Sequence, residues 1–90
     1  MERVTPRDVA MWMRAELDQH GHLRQSDAAD GIVRQFGPDF VYENDNGNPG
    51  IEPRVLDAFR RLTGNNVVWV QSEFKWRYRR AGDQPGRRQD

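Results

Sequence analysis

The stretch from Asn65 to Arg80, NNVVWVQSEFKWRYRR, alternates apolar and polar residues and holds two of the chain's three tryptophans. A period of two marks a strand with one buried face, and here it predicts a β-hairpin. Val67, Trp69, Phe74, Trp76 and Tyr78 fall on one face, and Lys75, Arg77 and Arg79 on the other. A two-residue loop at Ser72-Glu73 and a four-residue loop from Gln71 to Phe74 give the same pairing, with Trp69 opposite Trp76 and Val67 opposite Tyr78. A slip by one residue would bury the arginines, so the register is firmly specified. An aromatic face of this size needs a layer to pack against.

Three amphipathic helices supply that layer. The first opens at Thr5 as N-cap, with Pro6 at the first helical position and Asp8 where a capping-box acid belongs. Val4 and Val9 are spaced for a hydrophobic staple across that cap. Val9, Trp12, Met13 and Leu17 recur at three- and four-residue spacing, and Gly21 supplies a left-handed stop. A short strand is expected around Leu23. Ser26 reads as the cap of a second helix whose buried side is Ala29, Ile32, Val33 and Phe36, ended by Gly37-Pro38. Gly31 sits inside it, either tolerated or required by a close backbone approach. The third helix spans about Glu52 to Leu62, with Val55, Leu56, Phe59 and Leu62 inward and Arg54, Asp57, Ala58 and Arg61 outward. Between the second and third helices, Phe40-Val41-Tyr42 reads as an extended piece. It runs into an exposed loop of turn formers from Glu43 to Gly50, where Asn46-Gly47 suits a tight turn.

Ninety residues, 36% of them hydrophobic and 31% charged, make one domain that relies on its aromatics for burial. The expected fold is α+β: three helices on a small antiparallel sheet with a C-terminal hairpin. The ordered domain is expected over residues 1–80. Residues 81–90, AGDQPGRRQD, have no apolar residue beyond Ala81 and are expected to form a disordered tail. Helix, short strand, helix, helix, hairpin resembles the element order of a winged-helix domain over about residues 5–80. The stretch 38–50 departs from that pattern by replacing the tight turn of a regular helix-turn-helix. Gly37-Pro38-Asp39-Phe40-Val41-Tyr42, Asn44-Asp45-Asn46-Gly47 and Val68-Trp69-Val70 with Trp76-Arg77 also resemble small bacterial proteins of the kind found among mobile gene-cassette products. That likeness implies no activity.

The formal net charge of zero hides an uneven split. Residues 1–70 carry eight Arg against eleven acids, whereas residues 71–90 carry six Lys or Arg against three acids. The winged-helix resemblance implies that Arg54 and Arg61 on the third helix, with Lys75, Arg77 and Arg79 on the wing, face duplex nucleic acid. Guanidinium forks suit phosphate and guanine, but Glu52 and Asp57 dilute the helix face. A solvated strand face that discourages edge aggregation explains the same cations. Phe74, Trp76 and Tyr78 could stack on unpaired bases, although their side of the hairpin assigns them to the core. The alternative function is protein interaction or homodimerisation, with Met11, Phe40-Val41-Tyr42 and the Asn-rich loop as contact candidates.

Other chemistries find little support. With no cysteine there is neither a disulfide nor a thiol nucleophile. His20 and His22 beside Asp18 lack a third fixed metal ligand. An EF-hand register with Gly47 at position six puts Tyr42 first and Pro53 twelfth, where acids are required. Ser26 and Ser72 are explained by a cap and a turn, so no enzyme, cofactor, metal or small-molecule substrate is expected. No signal peptide or membrane span is legible, and a cytoplasmic location is the expectation.

Overall fold

A computed structural model describes residues 3–90. Its elements run α1 (Pro6–His20), β1 (His22–Arg24), α2 (Gln25–Phe36), β2 (Val41–Glu43), β3 (Pro49–Ile51), α3 (Pro53–Thr63), β4 (Val67–Val70), β5 (Lys75–Tyr78) and β6 (Arg88–Gln89). No helix among the described residues is long and apolar enough to cross a membrane.

Local chemistry sets the ends of α1 as expected. The Asp8 amide donates to Thr5 Oγ1 at 3.2 Å, and the Thr5 amide donates back to Asp8 Oδ2 at 2.9 Å. Gly21 closes the helix with φ of 79°, a conformation costly for any residue with a Cβ. The second helix starts differently. It begins at Gln25, whose amide donates to the Phe74 carbonyl, and no side chain caps it; Ser26 is not the cap. A contact with the hairpin thus takes over from a local cap. Val33 lies on the exposed side of α2, while Ala28, Ala29 and Ile32 are buried.

Strands β4 and β5 pair in the expected register, Trp69 with Trp76 and Val67 with Tyr78. Strand β1 adds along β5 with Leu23 opposite Trp76, giving the order β1-β5-β4-β6. The connecting loop is the four-residue one, and it removes Phe74 from the strand. Phe74 has φ of 49°, is 55% exposed, and meets the edge of Trp69 at 6.1 Å. Its placement on the buried face is therefore corrected. Tyr78 is also only partly covered and donates its hydroxyl to Asp18 of α1, which holds its phenol above the ordinary value.

The core lies between the helices and one sheet face. Val9, Met13, Leu17, Leu23, Ile32, Val55, Phe59, Val67 and Trp76 are buried, and Trp12, Phe36 and Trp69 pack against them half-buried. Phe59 meets Trp76 edge-on at 5.5 Å, and Trp69 tilts against Trp76 at 4.7 Å. Gly31 has a specific cause: a Cβ there would lie 2.2 Å from the Trp12 ring, so a side chain, not a backbone, occupies its space.

Two segments that read as loop and tail carry structure. Residues 38–51 form a 3-10 turn followed by the β2–β3 hairpin, in which Tyr42 pairs with Gly50 and Val41 with Ile51. Asn44 Oδ1 accepts the Asn46 and Asn48 amides, both at 3.0 Å, and organises the turn. The expectation that Glu43–Gly50 is simply an exposed loop is corrected: the Tyr42 ring covers Gly50, and Ile51 is buried. This hairpin lies against α2, while α3 packs on α1. Residues 81–90, expected to be disordered, instead fold back. Arg88–Gln89 pair in parallel with Trp69–Val70, and the Trp69 amide donates to the Arg87 carbonyl at 2.7 Å. The segment reaches the sheet mainly with polar groups of its own.

Candidate nucleic-acid interface

Alternation along β5 sends Trp76 toward α3 and Lys75 and Arg77 to the opposite face of the sheet. Val68 and Val70 share that second face and are 0% and 6% exposed, although neither belongs to the core cluster between the helices and the sheet. The C-terminal segment covers them. Arg77 donates from Nη1 and Nη2 to the two carboxylate oxygens of Asp83, at 2.9 and 2.8 Å, with side chains only 12% and 10% exposed. The Arg80 amide donates to the same carboxylate at 2.7 Å, closing a turn that aims Asp83 at the sheet. The Arg77 guanidinium and, second, that amide hold the Asp83 carboxyl well below the usual carboxylate range. Buried Gln89 exchanges hydrogen bonds with the backbone of Gln84, satisfying its amide.

The five cations expected to face nucleic acid are therefore not brought together. Arg77 serves Asp83. Arg79 donates to three backbone carbonyls, those of Asn65, Gln84 and Gly86. Lys75 lies 3.4 Å from Glu73. Arg54 pairs with Glu52, which caps α3 through the Arg54 amide. Arg61 stays exposed on α3, separated along that face from Arg54 by the exposed Asp57. The sheet itself stands between the α3 cations and those of the hairpin.

A different group of cations gathers at the C-terminal half of α3. Arg87, from the segment expected to be disordered, donates through Nη1 to Thr63 Oγ1 and to the Gly64 carbonyl, both at 3.1 Å. Its guanidinium carbon lies 5.7 Å from the Phe59 ring centroid, a cation–π arrangement. Burial and, second, the like charge of Arg60 push this guanidinium down from its ordinary value. None of the ion pairs among the described residues involves Arg60, Arg61 or Arg87. From sequence alone Arg60 reads as lateral and Arg87 as tail. The available signal is the excess of basic residues after position 70, without any indication that the tail returns to α3.

His20 faces Glu16 at 3.6 Å, and no cluster of three metal-ligating side chains occurs among the described residues. No curated protein and no solved structure matches the chain. Residues 5–78, which hold the helices and the hairpin but not the returning C-terminal segment, match the family of unknown function DUF6953, and the chain belongs to that family.

Proposed function

We propose that this domain is a small non-enzymatic accessory protein of winged-helix type that binds nucleic acid. Binding is made by the C-terminal half of α3 and the segment folded against it. The reading is carried by one observation: Arg60 and Arg87 stand close together, neither has a carboxylate partner among the described residues, and exposed Arg88 lines the same pocket, with Arg61 next along α3. Helix–strand–helix–helix–hairpin order, with β1-β5-β4 as consecutive sheet neighbours, supports the winged-helix assignment. Arg54, paired with Glu52 and set apart from Arg61 by Asp57, lies at the margin of this surface. In this reading Arg77 and Arg79 hold the C-terminal segment in place, and Lys75 is peripheral. Origin among bacterial mobile gene-cassette products is part of the same proposal and rests on sequence likeness alone.

Titrating a labelled duplex at low salt tests it. Each phosphate that the protein neutralises contributes about −0.9 to the slope of log K against log salt. Two or three neutralised phosphates give an expected slope of about −2 to −3. The slope is expected to shrink in an Arg60→Ser/Arg61→Ser double variant and to stay unchanged in Lys75→Ser. Absence of binding in the micromolar range, or binding insensitive to salt, ends the reading.

Protein interaction is favoured by a separate observation. A groove of about 510 Å³ lies between the hairpin tip and the Asn-rich turn, lined by Asn44, Asn46, Asn48 and exposed Phe74. Light scattering of Phe74→Ser against the parent chain measures whether this groove mediates self-association.

A further inference from the structure

We infer that the pocket between α3 and the β4–β6 edge binds a nucleotide, with guanidinium groups on its phosphate and an aromatic floor beneath its base. This deepens the nucleic-acid reading, on which the choice of a nucleotide over other aromatic anions rests.

The pocket is an open depression of about 310 Å³, at the lower end of the range that holds a small molecule. Phe59, Trp69 and Trp76 line it, together with Arg60, Arg87 and Arg88. The floor is rigid. Trp69 donates its indole N–H to Gln71 Oε1 at 2.8 Å, and its ring is fixed against Trp76. A pinned, half-buried indole offers a stacking surface at little cost in side-chain order.

The rim is cationic and preorganised. Arg87 is held by Thr63, Gly64 and the face of Phe59, and both its hydrogen bonds leave through Nη1. Nη2 and Nε therefore donate to nothing among the described residues. A fork fixed in this way matches two oxygens of a phosphate. Arg60 stands close enough for its charge to act on Arg87, so an anion between them would be attracted by both. Arg88 is already drawn toward Asp90, at 3.7 Å and well exposed. Asp57 also lines the pocket and opposes an anion, but it forms no ion pair with any of the three arginines. The arrangement differs from the hairpin arginines, whose guanidinium groups are already occupied. Arg87 and Arg88 lie outside the part of the chain that matches the family.

The three indole N–H resonances report the test directly, because Trp12 lies in a separate groove beside α2. Titration with adenosine monophosphate is expected to move the Trp69 and Trp76 resonances and leave Trp12 in place. Adenosine and inorganic phosphate are each expected to bind at least about tenfold more weakly. Arg87→Lys, which keeps the charge but loses the fork, is expected to weaken binding about tenfold. Arg60→Ser, at an exposed side chain that makes no hydrogen bond or ion pair among the described residues, is expected to weaken it about threefold. A 5′-phosphorylated oligonucleotide binding more tightly than its unphosphorylated twin assigns the ligand to strand ends. Equal binding of the two, with the monophosphate still bound, assigns it to free nucleotides.

Stationary Trp69 and Trp76 resonances at millimolar monophosphate overturn the pocket, as does an affinity unchanged by both substitutions. Oligonucleotide binding that survives both substitutions overturns the pocket while leaving the broader nucleic-acid reading standing. Monophosphate binding without any oligonucleotide binding supports the pocket and removes that reading.

Discussion

The two faces of the four-stranded sheet are buried by different chemistry. On one, Leu23, Val67, Trp69 and Trp76 meet three helices through apolar surface. On the other, Val68 and Val70 lie beside Arg77 beneath a short segment that offers a carboxylate, amides and backbone carbonyls. The first face is held by area, which is non-directional and tolerant of local repacking. The second depends on a few groups meeting at specific points, because a covered guanidinium or amide without a partner is costly. One face can loosen gradually, whereas the other is either closed or open.

The largest expected effect belongs to the helical face. Phe59 is fully buried and touches Trp76 and Arg87, so Phe59→Ala is expected to cost about 3–5 kcal/mol by the usual range for such core truncations. Val68→Ala on the opposite face removes two methyl groups and is expected to cost about 2 kcal/mol. Urea unfolding compares the two directly. Equal losses would mean that the faces are not distinct in the way described.

Ending the chain after Arg80 removes the cover from Val68 and Val70 and the partner from Arg77. Re-exposing the two valines alone is expected to cost about 2–4 kcal/mol. The remaining helices and hairpin should still fold, because their core includes no residue beyond Trp76. A truncated chain with the parent stability would show that the segment does not close the second face.

How much of this is legible in the sequence follows the same division. The bounds of α1 and the Trp69–Trp76 register are readable, because capping and alternation are local patterns with a fixed period. The return of residues 81–90 is not. It rests on Asp83 reaching Arg77 and Gln89 reaching Gln84, pairings of polar groups that leave no periodic trace. Pro49-Gly50 reads as turn chemistry, yet it pairs with Tyr42 and Glu43 as a strand, with the Tyr42 ring over the glycine. Phe74 escapes the pattern because alternation does not carry through a loop. The candidate site suffers most: three of its five expected arginines and lysines lie in or against the polar face, where Arg77 and Lys75 face carboxylates and Arg79 donates to backbone carbonyls.

The Arg77–Asp83 pair gives the polar face a pH signature. Asp83 titrates at lower pH in the folded chain than in the unfolded chain, where an ordinary carboxyl titrates near 4. Its contribution is therefore complete above about pH 5 and is lost as the pH falls toward about 2. Asp83→Asn is expected to be less stable than the parent at neutral pH, with the gap narrowing as acid is added. A gap that stays constant between about pH 6 and about pH 3 would locate the effect in packing instead of charge.

The smallest expected effect comes from an ion pair of equal separation that lacks both the bidentate fork and the cover of Arg77–Asp83. Arg34 and Asp30 meet at 2.8 Å one turn apart on α2, as close as Arg77 and Asp83, but their side chains are 74% and 68% exposed. Water solvates both partners when they separate, so such a pair contributes only about 0.3–0.5 kcal/mol. Asp30→Asn should accordingly shift the urea midpoint by an amount near the limit of measurement, and added salt should remove the difference. A loss comparable to that of Asp83→Asn would break the contrast, since it would make distance alone decide what an ion pair is worth. The expected inequality instead assigns the difference to cover and to the two-point fork: the C-terminal segment turns an Arg–Asp contact into one on which a face of the sheet depends.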